Sequence, residues 1–505
     1  MDLHKQFPLN LAANIISFVM NVVIGIFMVP YFIRHLGAEA YGFIPLAATV
    51  TAYVGLINFG LNAATARFFT IDFQRGDIDN ANKFFNTAFW TISVGCIVLL
   101  PLLSLFAYFS PHVFHIPTQL TTQVQWLFFF IFSSFLFSIF SSVFGSPLFA
   151  LNRLDLQNMI DISGLGLRTA LIVLLFLFFR VSLPAVGIAY LLSALGVLSL
   201  SIYLWRKKAP QLRIARSYYD KTKLRDIWSM SGWIVLDQIG SLLLLQVDLI
   251  VCNLLFGGLI TGQYAAILQL NFLLRSVAGV FSGVFSPMVL ISHAREDKDS
   301  IISISRRAVK FMAIGIAFPV GLLCGFAKPV LNLWLGNEYV KYVPLVWVFA
   351  AHLTINLGIQ PLFAIQRALN KVRTPALVVI FIGILNVILA VVFAKFLHWG
   401  VIGIAVAGAL VLTIRHAIFV PFYAAYILKI PLTTFIKPVW KGVVLTIGIM
   451  VVAVLLTQYV CLDNYGKLFV AAVGVSMTFI FFAWKFLLAK EERAMLFNML
   501  VRFGR

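Results

Sequence analysis

Apolar runs long enough to cross a bilayer, separated by short clusters of charge, fill the chain from one end to the other. A span needs about 20 mainly apolar residues. Fourteen such runs can be placed, beginning near residues 9, 41, 84, 121, 156, 184, 228, 261, 307, 342, 374, 400, 438 and 466. At about 25 residues each they take up about 350 of the 505 positions, leaving roughly 10 for each connection. That remainder has no room for a soluble catalytic domain, and the longest polar stretch is Arg206 to Asp226. The runs are also longer than the strands of an outer-membrane barrel. Residues 9 to 33 exceed a signal-peptide core and lack a small-residue cleavage site, so they read as an uncleaved first span.

Polar residues inside the runs keep helical spacing. In span 1, Asn10, Asn14, Ser17 and Asn21 advance by four, three and four residues and form one stripe. In span 2, Thr51, Asn58 and Asn62 are spaced by seven and four residues, and in span 8 Asn271 and Ser282 by eleven, so each set keeps to one helical face. Such stripes either line an aqueous cavity or join helices through interhelical hydrogen bonds, and spacing alone leaves both readings open.

The chain also matches itself. Leu36-Gly37 and Gly42 recur as Phe256-Gly257 and Gly262 at an offset of 220. Pro147 to Arg153 (PLFALNR) recurs as Pro361 to Arg367 (PLFAIQR) at an offset of 214, with five identities and two conservative changes. An offset of six helices returns the chain to the same side of the membrane, which makes the halves parallel repeats. The expected fold is an all-α polytopic membrane protein of about 14 transmembrane helices. Two parallel six-helix repeats form two lobes around a central cavity, followed by two C-terminal helices. The expected boundaries are 1–205 for the first lobe, 206–226 for a basic cytoplasmic linker, 227–428 for the second lobe and 429–505 for helices 13 and 14 with a basic tail. The offset-220 shift carries Ser17 to Asp237, Met28 to Asp248, Thr51 to Asn271, Gly55 to Arg275 and Asn62 to Ser282, whereas Asn10 and Asn14 fall on apolar residues and Asn58 on Ala278.

Composition agrees with a membrane chain: 61% apolar and only 11% charged residues, and a mean hydropathy of +0.99. The net charge of +20 resembles a nucleic-acid footprint until its distribution is followed. With the N-terminus cytoplasmic, 29 of the 38 Lys and Arg fall on cytoplasmic segments, six on the opposite face (Arg34, Arg180, Lys328, Lys341, Lys395, Lys467) and three inside spans. This is the asymmetry that retention of Lys and Arg at the cytoplasmic face produces, so both termini are expected there and no nucleic-acid partner is expected. The four cysteines show neither CxxC nor zinc spacing and read as buried apolar residues.

Two six-helix lobes with two added helices, the Leu-Gly-x-x-x-Tyr-Gly turn at Leu36 to Gly42, the Gly-x-Tyr turn at Gly262 to Tyr264 and the Pro-Leu-Phe-Ala-x-x-Arg ends of spans 4 and 10 carry a resemblance. Along nearly its whole length the chain resembles the polysaccharide flippases, the Wzx-like O-antigen transporters of the multidrug/oligosaccharidyl-lipid/polysaccharide superfamily. The resemblance implies a bacterial inner-membrane protein that moves a polyprenyl-pyrophosphate-linked oligosaccharide from the cytoplasmic to the periplasmic leaflet by alternating access. It implies a role in O-antigen-like polysaccharide and lipopolysaccharide synthesis, with membrane lipid and a glycan polymerase complex as partners. Two other readings compete: a cation-coupled multidrug exporter of the same superfamily, and a membrane-embedded glycan polymerase or transferase.

Charge inside a span costs roughly 2.5 to 3.5 kcal/mol on insertion scales and so belongs beside water or a partner. Six such residues occur: Asp161 and Arg168 in span 5, Asp237 and Asp248 in span 7, Arg275 in span 8 and Arg415 in span 12. The planar guanidinium forks of Arg168, Arg275 and Arg415 suit a pyrophosphate. Asp161 and Arg168, seven residues apart on one face, also read as a structural pair joined through a bridging group. Asp237 and Asp248 are ion-coupling candidates, because a desolvated carboxylate can bind and release a proton. A phosphate-cradling GxxxxGK[ST] is absent from the sequence, and no cofactor, metal site or catalytic residue is expected. Asp77-x-Asp79 reads as a solvated turn in preference to a nucleotide-sugar site, and Arg153 and Arg367 as interfacial residues that either guide head groups or snorkel.

Overall fold

The computed structural model describes residues 3–493, so Arg502 and Arg505 of the expected basic tail lie outside the described residues. Among these the secondary structure is helical, mostly α with short 3-10 and π segments, and contains no strand. The first nine helices are α1 (Leu3–Leu36), α2 (Ala38–Val54), α3 (Leu56–Gln74), α4 (Ile78–Val113), α5 (Thr121–Ala150), α6 (Leu154–Phe178), α7 (Leu183–Lys208), α8 (Lys221–Leu245) and α9 (Val247–Ala294). Then come α10 (Lys298–Gly325), α11 (Ala327–Trp334), α12 (Val343–Ala350), α13 (Leu353–Gly358), α14 (Phe363–Ala368), α15 (Arg373–Val391), α16 (Gly400–Thr413), α17 (Val420–Leu428), α18 (Lys437–Tyr459) and α19 (Tyr465–Phe482). Helix is what apolar chains adopt in lipid, because every backbone polar group must be satisfied within the segment.

Twelve helices among the described residues are long and apolar enough to cross a membrane, against the fourteen expected. The difference arises at two places. The second expected span is interrupted at Gly55, which leaves α2 and α3 with 17 and 19 residues. The seventh and eighth merge into one 45-residue stretch, Val235–Gly279. As a continuous helix that stretch would measure about 68 Å, more than twice the hydrocarbon thickness. It is interrupted at Gln246, between α8 and α9, and bent within α9 at Gly257, which has φ 78 and ψ −178. Its counterpart Gly37, at φ 82, separates α1 from α2. Both glycines occupy the positive-φ region that side chains disfavour.

Contacts gather into two compact units, Met1–Ala266 with Ala376–Ile388, and Ile267–Pro375 with Leu389–Arg505. In the first unit Gly42 and Gly262 meet backbone to backbone, and a Cβ on Gly262 would lie 1.7 Å from the Ala38 carbonyl oxygen. Close helix contact through small residues recurs where Gly164 faces Val197 and Gly187 faces Phe130. Phe85, Phe144 and Trp205 form a buried aromatic core, with the Phe85 and Trp205 rings stacked 5.6 Å apart. The polar linker is strapped to this core. Asn82 accepts from the Arg213 N–H at 2.9 Å and donates to the Gln211 carbonyl, while Asn86 accepts from the Ala215 N–H and donates to the Arg213 carbonyl. Leu212 of the linker is buried in the same cluster.

In the second unit α10 packs on α18 through small residues: Gly321 against Ile449, Gly325 against Ala453 and Gly442 against Ala313. Buried Thr354 and Thr446 join their hydroxyls at 2.7 Å.

Several backbone devices recur between the two halves. Asp77 caps α4 by accepting from the Asn80 N–H, and Asp297, 220 residues later, caps α10 by accepting from the Ser300 N–H. These bonds hold both carboxyls below their ordinary range. Asp77-x-Asp79 is thus a helix start, with Asp79 bridged to Lys83 at 2.7 Å. The turns after α5 and α14 both place an asparagine at positive φ, Asn152 at 53° and Asn370 at 52°. That pair is 218 residues apart, so the backbone equivalence runs one helical turn from the seven-residue match at 214. Two of the cysteines differ from expectation: Cys461 is exposed beyond α18 and Cys96 only half-buried.

Candidate functional site

The first unit holds an open cavity of about 710 Å³ bordered by α1, α3, α5, α6 and α7. Its walls carry Ser134, Ser138, Ser141, Ser142 and Ser146 from α5, Ser193 and Ser201 from α7, Ser17 and Asn21 from α1, Asn62 from α3 and Gln157 from α6. Asp161 and Arg168 of α6 face the same space. The guanidinium of Arg168 lies 4.5 Å from the centre of the Tyr190 ring, a cation–π contact that leaves its N–H groups available. No direct ion pair joins Asp161 to Arg168 among the described residues. A carboxylate and a guanidinium two turns apart therefore open onto one hydroxyl-rich chamber. Hydrogen bonds set the wall: Asn62 donates to the Ser142 hydroxyl at 2.8 Å, Ser141 to Ser201 at 2.8 Å and Gln157 to the Gly145 carbonyl at 2.9 Å.

The stripe on span 1 divides in two. Ser17 and Asn21 reach the cavity, with the Asn21 amide donating to the Ser17 carbonyl at 2.8 Å. Asn10 is 7% exposed and engaged by the turn between α5 and α6, donating to the Asn152 carbonyl and accepting from the Asp155 N–H, both at 3.0 Å. Asn14 accepts from Asn158 of α6 at 2.8 Å. Arg153 is locked to Asp155 in a bidentate pair at 2.8 to 2.9 Å. Asn58 lies on α3 with its Oδ1 buried and without a hydrogen-bond partner among the described residues.

The carboxylates expected in span 7 also belong to the first unit. Asp237 is half-buried on α8. Asp248, at the start of α9, is buried and accepts from the Tyr264 hydroxyl at 3.1 Å.

The remaining arginines belong to the second unit. Arg275 donates through Nε to Asn271 Oδ1 at 2.6 Å, one turn earlier on α9. The Asn271 amide in turn donates to the Phe349 carbonyl at 2.8 Å, so this asparagine relays between α9 and α12. Ser282 lies half-buried further along α9. Arg415 sits in a π-helical segment, Ile414–Phe419, with its guanidinium 5.6 Å from the Phe363 ring centre. Single π turns often mark functional positions. The adjacent His416 is buried and directs Nδ1 to the Leu412 carbonyl at 2.8 Å. It lies within electrostatic reach of Arg275, Arg415 and His352, and His352 contacts Asn356 at 2.7 Å.

Sequence reasoning missed the serine wall and the two histidines. Ser134, Ser138, Ser141, Ser142 and Ser146 repeat at three- and four-residue steps, the same signal that marked span 1. Aromatic residues between them conceal the pattern. His352 and His416 could have been found as rare ionisable residues inside spans.

The family described as polysaccharide biosynthesis protein matches residues 9–290. A relative from Bacillus subtilis (strain 168), named uncharacterized membrane protein EpsK, is 30% identical over 489 residues, covering 97% of each chain. Lipid II flippase MurJ, solved in an inward closed conformation, is similar with a TM-score of 0.66 and 17% identity, over 95% of this chain and 99% of that one. An inward-facing multidrug resistance MATE family transporter of the MOP superfamily is similar with a TM-score of 0.64 and 14% identity, over 85% of this chain and 95% of that one. At these identities the two structures establish a shared fold.

Proposed function

The chain belongs to the polysaccharide biosynthesis protein family, and from that premise we propose that it is a flippase for a polyprenyl-pyrophosphate-linked oligosaccharide. It moves this substrate from the cytoplasmic to the periplasmic leaflet of the bacterial inner membrane by alternating access. The observation that carries the reading is the chamber of the first unit, with serine hydroxyls, two asparagines and a glutamine around Asp161 and Arg168.

Such a substrate presents hydroxyls, charge and hydrocarbon. The serine and amide wall meets sugar hydroxyls with donors and acceptors, and the Asp161 carboxylate accepts from them. The Arg168 guanidinium pairs with phosphate or sugar-acid oxygens while its face stays on Tyr190. Arg275 and Arg415 supply cationic contacts to anionic groups of the substrate in the second unit, and the polyprenyl tail stays in lipid. Asp237 and Asp248 are the ion-coupling candidates, Asp248 exchanging a proton beside Tyr264. An exporter of the same fold would bind a cationic amphiphile through Asp237 and Asp248, or in the chamber through Asp161. Arg168 on the same wall repels a cationic amphiphile, which favours the glycolipid.

The test is transport in proteoliposomes of a fluorescent polyprenyl-pyrophosphate oligosaccharide, its leaflet read with an impermeant quencher. The intact protein should move it. Arg168→Gln should slow transport about 10- to 100-fold, the scale of a charge-assisted hydrogen bond. Absence of movement, or equal movement of a cationic dye, would sink the proposal.

A further inference from the structure

At one end of the second unit, α10 and α18 border a cleft of about 450 Å³. Arg306, Arg307 and Lys310 line it from one face of α10, and Lys437 and Lys441 from the first turns of α18. Glu492 and one further carboxylate also line it, leaving a net charge of +3 from five cations and two anions. Like charges gathered this closely repel one another and destabilise the fold unless a counter-anion answers them.

The protein supplies only part of that answer. Lys310, 8% exposed, pairs with Glu492. Burial alone would raise the Glu492 carboxyl, but the Lys310 hydrogen bond and the Ala489 N–H hold it below its ordinary range. Lys441 donates to the Leu487 carbonyl at 2.9 Å. Arg307 approaches Glu491 at 3.9 Å, a contact between exposed groups that contributes little. Arg306 and Lys437 are exposed and make no ion pair among the described residues.

Helix length sets the depth of the cleft. The 28 residues of α10 span about 42 Å, against a hydrocarbon core of about 30 Å. Residues 311–325 carry no charge, so Lys310 is the last charge before the apolar run and the cleft falls at head-group level.

We propose that this cleft binds the phosphate head group of an anionic phospholipid, held by Arg306 and Lys437, with Glu492 competing for Lys310. Basic pockets between helices at the membrane surface bind lipid phosphates in this way. Free inorganic phosphate offers the same chemistry, but the cleft's depth favours the lipid.

Full-length protein in nanodiscs of phosphatidylglycerol or phosphatidylcholine, analysed by native mass spectrometry for retained lipid, tests the assignment. The wild type should retain phosphatidylglycerol at least about 25-fold over phosphatidylcholine, about fivefold for each of the two basic residues. The double variant Arg306→Gln/Lys437→Gln should lose about 25-fold, about fivefold for each basic residue. Glu492→Gln should retain more phosphatidylglycerol than the wild type. Equal retention of the two lipids, or unchanged retention in the double variant, overturns the proposal. Thermal stabilisation by inorganic phosphate that phosphatidylglycerol does not exceed overturns the lipid as its source.

Discussion

Arg168 in the first unit and the arginines of the second lie at similar depths in their spans, yet they occupy opposite kinds of surroundings. Arg168 lines an open chamber with serines, amides and Asp161, and its guanidinium lies over the face of Tyr190. Arg275 is engaged by Asn271, which itself holds a carbonyl of α12, and Arg415 lies in a π-helical segment beside a buried histidine. An insertion cost of the same order is offset by a wet cavity in one unit and by relayed polar contacts in the other. A mid-span arginine is therefore not one kind of signal. In a chamber it is free to meet a ligand, whereas in a relay it also holds helices together.

The contrast can be broken by separating transport from stability. The largest expected difference is in unfolding. Arg275→Met leaves Asn271 Oδ1 without its donor and should cost roughly 1–3 kcal/mol, visible as a lower Tm in micelles. Arg168→Met removes a cation–π contact and should cost about 0.5–1 kcal/mol, while slowing transport as much as Arg168→Gln does. A larger Tm loss for Arg168→Met would reverse the assignment of the two environments.

A smaller effect sharpens the reading of the chamber wall. Asn62→Ala removes the hydrogen bond to Ser142 and should lower stability by about 1 kcal/mol. Transport should fall more than this loss explains if the amide also meets sugar, and a transport rate equal to wild type would confine Asn62 to packing.

The smallest effect is one in which the two units should behave alike. Asp77 and Asp297 have folded-state pKa values below the ordinary 3.8, so the stability their caps contribute is present above 3.8 and is lost as pH falls through the folded value. Acidification should speed hydrogen exchange at the Asn80 and Ser300 amides together. Asp77→Asn and Asp297→Asn should blunt that response with little change at neutral pH, since asparagine also caps. Acid-insensitive exchange at either amide would remove the equivalence.

Much of the fold was legible. The apolar runs and the glycine turns at 37 and 257 are local matters of backbone satisfaction, and local matters repeat with sequence, whereas Asp77, read as a solvated turn, proved to be a helix start matched by Asp297. The candidate site was legible only in part. Spacing grouped Asn10 with Asn21, yet the first is consumed by the turn at Asn152 and the second reaches the cavity. Nothing local separates them, because the neighbour that captures Asn10 is 142 residues away. The match at 214 likewise misses the backbone equivalence by a turn, since a shift of four residues keeps nearly the same helical face.

The sequence by itself determined an all-α membrane chain with recurring turns and caps, because in lipid each helix must satisfy its own backbone and each cap depends on residues three positions apart. The tertiary structure alone decided which polar faces meet water and which meet one another. It placed the α5 serines opposite Asp161 and Arg168, tied the polar linker to Asn82 and Asn86, and set Lys310 against Glu492. Helical spacing specifies a face, and only the neighbouring helices specify what that face is turned toward.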